Sequence, residues 1–147
     1  MSKFYNVDVI VLRDALNSCK SALNYEISKE ILSELSSDEI WQAQAKKRFT
    51  EALDTLHNTR YKDLEQKIDA YLQIADQIEQ YQNLEIQNEK LSKQIETYNN
   101  NLQVAKESDN PTISPEEWSH KIYVANSQIN QNNIDEDTIY ENIRSSI

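Results

Sequence analysis

Residues 61–105 read YKDLEQKIDAYLQIADQIEQYQNLEIQNEKLSKQIETYNNNLQVA, and the spacing of their apolar side chains decides the fold. Tyr61, Leu64, Ile68, Tyr71, Ala75 and Ile78 step by 3, 4, 3, 4 and 3. Leu91, Ile95, Tyr98, Leu102 and Ala105 step by 4, 3, 4 and 3. That is the heptad spacing of one helix face kept against a partner. Between the two runs Ile78, Tyr81 and Leu84 step by 3 and 3, a stammer that overwinds a coiled coil locally. Asn88 falls on the seam, where a polar residue can fix register at some cost in stability.

Working backwards, the same helix starts near residue 39, after Leu35-Ser-Ser-Asp-Glu39. Ser37 or Asp38 supplies a cap, and the acids that follow suit the positive end of the helix dipole. The helix is expected over about 39–106, roughly 100 Å at 1.5 Å per residue. Before it, Val9, Leu12, Leu16, Cys19 and Leu23 step by 3, 4, 3 and 4, and Ile27, Ile31 and Leu35 continue the face. A first helix over about 6–36 follows, despite the β-branched run Val7, Val9, Ile10 and Val11. Cys19 is expected to be a small buried residue of this stripe. The first helix, about 43 Å long, covers only the part of the second nearest the turn. The seam beyond about Ala70 therefore lacks a long in-chain partner, unless the chain bends back at Asn99-Asn100-Asn101.

Working forwards, SDNPTIS at 108–114 reads as a loop with a proline stop. Ser114-Pro-Glu-Glu117 is a helix start: cap, proline at the first position, acid three after the cap. A short helix from Pro115 to about Gln128 carries Trp118, Ile122 and Ala125 on one stripe, and Asn130-Gln-Asn-Asn133 is expected to end it. A second short helix from Asp135 would use Ile139 and Ile143. The expected fold class is all-α: an elongated antiparallel helical hairpin over 1–107, with an acidic accessory segment of one or two short helices over 108–147.

Composition narrows the chemistry. The 147 residues include no glycine and two prolines, and 27 are Asn or Gln. Phosphate-cradling loops, dinucleotide fingerprints and nucleophile elbows all need glycine, so those enzyme classes drop out. Net charge is −10, which repels phosphate backbones. Residues 108–147 hold 7 acids and 2 bases, against 18 and 13 in residues 1–107, so acidity is denser after 107. Cys19 is single, and His57 and His120 lie far apart, so neither a disulfide nor a metal site is expected. Helix-spaced carboxylates such as Glu65 and Asp69 read as a solvated face rather than an acid/base pair. Lys46-Lys47-Arg48 is the only basic cluster. No stretch approaches a signal peptide or a membrane span. Catalytic residues, cofactors, nucleic acid, membrane and small-molecule substrate are all absent from the expected function.

Trp41-Gln-Ala43-Gln-Ala45-Lys-Lys-Arg-Phe49 stands at the start of the second helix. Trp41 and Phe49 share a helix face two turns apart, with Ala43 small enough to admit a neighbour. This W-x-small turn, with a hairpin around it and an aromatic eight residues on, resembles the WxG superfamily of Gram-positive type VII secretion. Ala43 takes the place of the family's glycine. The resemblance covers about residues 6–90. The extended second helix is more similar to the small partner proteins of LXG-type toxins.

The resemblance implies a non-enzymatic targeting chaperone. Its partners would be the helical N-terminal domain of a secreted effector and a second small helical protein. Its location would be the cytoplasm, with any export made without a cleaved leader. The resemblance also implies an export signal of the form Y-x-x-x-D/E. Tyr81-Gln-Asn-Leu-Glu85 is the better-placed match and Tyr61-Lys-Asp-Leu-Glu65 the other. Core packing is the competing reading of Tyr81. Ile78, Leu84, Leu91, Ile95 and Leu102 form the expected partner-binding seam. The rival to this reading is a homo-oligomeric coiled-coil scaffold.

Overall fold

A computed structural model of the chain describes residues 3–4, 7–25, 47–48, 51–52, 54–55 and 57–147. Ile27, Ile31, Leu35, the turn at 36–38 and the motif residues Trp41, Ala43 and Phe49 lie outside these. Three α-helices account for most of what is described: α1 (Val9–Tyr25), α2 (Lys62–Glu107) and α3 (Pro115–Ser146). A single π-helical turn, His57–Tyr61, leads into α2. No strand occurs among the described residues, and the fold is all-α. The chain forms two compact units, one of residues 7–76 and one of residues 1–6 with 77–147.

In the first unit, Asp8 caps α1. Its Oδ1 accepts from the amides of Ile10 and Val11 at 3.1 Å each, so a carboxylate sits where the helix dipole is positive. Capping makes a helix of the β-branched start. Val9 is buried, and Leu12, Arg13, Leu16 and Lys20 are half-buried. Val9 and Lys20 are eleven residues apart, about three full turns, and so share one face. Cys19 lies about 80° off Val9 by the same rotation, and it is exposed. The expectation of a buried thiol is thereby corrected. A straight helix follows an eleven-residue repeat, and the face passes from Leu12 and Cys19 to Arg13 and Lys20. Arg13 Nη2 meets Asp76 Oδ1 at 2.7 Å, and Lys20 Nζ meets Asp69 Oδ1 at 2.6 Å. Seven residues separate the partners on each helix, in opposite order, so α1 runs antiparallel to this part of α2. Ile68, Ile74 and Ala75 supply the buried apolar side chains of α2 here.

In the second unit, α2 continues as one unbroken helix through Asn99, Asn100 and Asn101 to Glu107. The chain reverses over 108–114 with no positive φ at any described residue. Ser114 then caps α3, its Oγ accepting from the Glu117 amide at 3.2 Å, with Pro115 in the first turn. This is the helix start that the sequence predicts. Its end is not where expected. Asn130-Gln-Asn-Asn133 does not break the helix, and α3 is one element of 32 residues. It lies back along α2, with Tyr98 against Trp118 and Asn88 against Asn132. The long in-chain partner that the seam seemed to lack is therefore α3.

Candidate functional site

The distinctive surface of the molecule is the contact between α3 and residues 77–107 of α2. From α3 it takes Trp118, Ile122, Ala125, Ile129, Asn132, Glu136, Ile139 and Ile143, in steps of 4, 3, 4, 3, 4, 3 and 4. Ala125, Asn132 and Ile143 are buried and the others half-buried. From α2, Ile78, Tyr81 and Ala105 are buried. Leu84, Leu91, Ile95 and Leu102 are half-buried even with α3 in place. Two helices alone cannot enclose a shared seam, and that geometry leaves one side of these leucines and isoleucines open.

An amide cluster interrupts the apolar seam. Asn132 is 1% exposed. Its Nδ2 donates to Asn88 Oδ1 at 2.9 Å, and its Oδ1 accepts from Gln128 Nε2 at 2.8 Å. Asn88 Nδ2 donates in turn to Asn133 Oδ1 and Glu136 Oε1, both at 3.0 Å. Any sliding of α3 along α2 would strand these groups, so the cluster fixes register. Asn88 was legible as a seam residue. Its partner Asn132 was hidden in a run that reads as a loop.

Beside the amides is an aromatic cluster. Phe4 meets Tyr81 edge-on with centroids 5.0 Å apart and lies 6.2 Å from Tyr140. Gln82 Nε2 donates to the Phe4 carbonyl at 3.1 Å. Lys3 Nζ stands 3.6 Å from the centroid of the Tyr140 ring, a cation–π contact. Burial, with Glu136 and Glu85 next in weight, pushes the Tyr81 phenol above its usual range. Burial also raises the Glu136 carboxyl, with Glu85 and Asp137 adding to it and Lys3 opposing. Nothing in the sequence reading had marked Lys3 and Phe4. The aromatic beside a cation was visible there, but its distant partner was not.

The expected export signal fares differently at its two ends. Tyr81 is 5% exposed and packs on Phe4, so its ring is a core group here; Glu85 is half-buried. Tyr61 and Glu65 are both half-buried, at the junction of the π-helical turn and α2. Trp41, Ala43 and Phe49 cannot be placed, because they fall outside the described residues. No group of three or more His, Cys, Asp or Glu is arranged to hold a metal among the described residues. No described helix is long and apolar enough to cross a membrane.

One shallow groove lies between α2 and α3, and another lies on α3 alone. Leu84 and Ile139 line one with Gln80, Asn83, Gln87, Asp135 and Thr138. Ile134, Asp137, Thr138, Glu141 and Asn142 line the other. Leu84 and Ile139 are the apolar lining of the first groove and Ile134 that of the second, each among polar side chains. No protein family, curated protein or solved structure matches the chain.

Proposed function

We propose that the chain is a non-enzymatic accessory factor of type VII secretion, which binds the helical N-terminal domain of an LXG-type effector and assists its export. The observation that carries this reading is the open side of the α2–α3 seam. Leu84, Leu91, Ile95 and Leu102 keep heptad spacing yet stay half-buried after α3 has packed, which is what a helix pair leaves for a third helix. The Trp41-Gln-Ala43 motif supplies the secretion setting by resemblance. With Tyr81 in the core, the export signal of the complex resides on the client or at Tyr61 and Glu65.

A search for an LXG-type toxin gene beside this one, followed by co-expression with that toxin, tests the reading. A stable complex by size-exclusion chromatography, and loss of toxin secretion when this gene is deleted, are expected. Toxin secretion unchanged by the deletion would overturn it. Tyr61→Ala that leaves the complex intact but stops secretion would place the signal on this chain.

A further inference from the structure

Residues 1–6 belong to the same compact unit as residues 77–147, and within it Lys3 and Phe4 lie across both helices. Phe4 meets α2 twice: its carbonyl accepts from Gln82 Nε2 at 3.1 Å, and its ring stands edge-on to Tyr81 at 5.0 Å. It reaches α3 at Tyr140, with 6.2 Å between centroids, and Lys3 Nζ is 3.6 Å from the centre of the same ring. Phe4 stays half-buried and Lys3 exposed, whereas Tyr81 beneath them is 5% exposed. A segment that is itself wet, yet completes the cover of a buried ring, has the build of a strap. Gln82 and Glu85 lie about 100° and 40° round α2 from Tyr81 in one sense, and Leu84 about 60° in the other. The strap therefore covers one flank of the seam, and the Leu84–Ile139 groove is on the opposite flank.

Beside the strap, like charges face one another across the seam. Glu136 of α3 is held there by Asn88, whose Nδ2 donates to its Oε1 at 3.0 Å. Glu85 and Tyr81 act on it from α2, Asp137 from its own helix and Lys3 from the strap, with Tyr140 beneath the Lys3 cation. Lys3 is the cation of that set, and it favours the ionised form of Glu136. Coupling is reciprocal, so ionised Glu136 holds Lys3 more tightly by the same factor. We propose that Lys3 and Phe4 form a pH-operated strap, closed over Tyr81 and Tyr140 while Glu136 is ionised and lifted when Glu136 takes a proton, with α3 remaining on α2. Protonation removes the attraction for Lys3 and, in the same step, the repulsion between Glu136 and Glu85. The strap loosens while the contact between the helices tightens. The Tyr140 contact that remains makes the change one of population. Burial of Glu136, with Glu85 and Asp137 beside it, sets the switch above the usual carboxylate range. Lifting bares the Tyr81 flank of the seam without unfolding the helices. The device goes beyond the adaptor reading and does not depend on it.

The test uses the full chain labelled with para-fluorophenylalanine, the Phe4 fluorine resonance being assigned by its loss in Phe4→Leu. In the closed state the Tyr81 and Tyr140 rings displace this resonance. As the strap lifts, it moves toward its position in the urea-unfolded chain. Between pH 7 and pH 4 the open-to-closed ratio should rise about two- to fivefold, the range for a cation at an exposed site. Helix content by circular dichroism should stay unchanged. Glu136→Gln should already show the low-pH ratio at pH 7 and should not titrate, and Lys3→Gln should not titrate either. A wild-type ratio that stays flat would overturn the proposal. So would a ratio that falls on acidification, because covering of Glu136 by Phe4 would then outweigh Lys3. The same titration in Glu136→Gln would overturn it by moving the switch to Glu85 or Asp137. Helix lost in step with the fluorine signal would do so as well, since α3 would then be leaving with the strap. The wild-type titration decides even where a variant fails to fold.

Discussion

The helix α2 is held by α1 over one part of its length and by α3 over another, and the polar pairs described in the two contacts differ in kind. Against α1 they are ion pairs at half-exposed side chains, Arg13 to Asp76 and Lys20 to Asp69, beside the buried Val9, Ile68, Ile74 and Ala75. Against α3 the pairs are apolar heptads, with a buried amide cluster and an aromatic cluster. Exposed ion pairs contribute little because water and salt screen them. Apolar burial contributes steadily with area, and a buried amide pair adds discrimination between registers. The α2–α3 contact should therefore carry stability and register, and the described α1–α2 ion pairs neither to a large degree.

The largest effect expected is at Ile143, which is 3% exposed. Ile143→Ala should cost about 2–5 kcal/mol in urea unfolding. A loss below about 1 kcal/mol would break the comparison by showing that the apolar seam is not what holds α3. Next is Asn132→Ala, which leaves Asn88 and Gln128 short of a buried partner and should cost about 1–3 kcal/mol. The joint change Asn88→Leu with Asn132→Leu sharpens the point. Stability should hold or rise, while register loosens, read as a second set of cross-helix distances in spin-label measurements.

A smaller effect is expected from Glu136. Its carboxyl is raised by burial and by Glu85 and Asp137, so its charge opposes folding above its folded pKa. The protonated form is favoured by the fold, and that stabilisation is lost as pH rises through the raised value. Glu136→Gln should hence raise the melting temperature at pH 7. The difference should shrink as pH falls toward the usual carboxylate range. An unchanged difference from pH 7 to pH 4 would show that the charge is not the cause. The smallest effect belongs to Arg13→Ala, under about 1 kcal/mol and less again in high salt. A larger loss would mean that Arg13 acts through packing of its stem as well as its charge.

How far the sequence carries the fold follows from the same contrast. The α2 heptads were readable because their members are Ile, Leu, Tyr and Ala, and the α3 start was readable because Ser114-Pro-Glu-Glu117 is local chemistry. The rest of α3 was not. Its heptad passes through Asn132 and Glu136, and a search for apolar spacing stops at both. Admitting polar residues to the seam would have joined Trp118 to Ile143 in one phase and supplied the missing partner of Asn88. Cys19 was misplaced for a related reason: a heptad was imposed where the face follows an eleven-residue repeat ending on Lys20. The candidate groove depends on α3 returning along α2, so it was invisible until that pairing was known. Ile78, Leu84, Leu91, Ile95 and Leu102 share one face of α2, and the chain's own helix covers part of that face.

The reversal between α2 and α3 has a practical consequence. It spans residues 108–114 without any left-handed backbone angle, and its Ser108 amide closes the end of α2 on the Ala105 carbonyl at 3.4 Å. A turn that depends on no special torsion tolerates added length, since doubling a loop costs only about 0.6 kcal/mol in closure entropy. Asp109 and Asn110 are exposed. A peptide tag inserted between them should leave both helices in register, which offers a place to attach a probe at the end of the hairpin away from the Leu84–Ile139 groove.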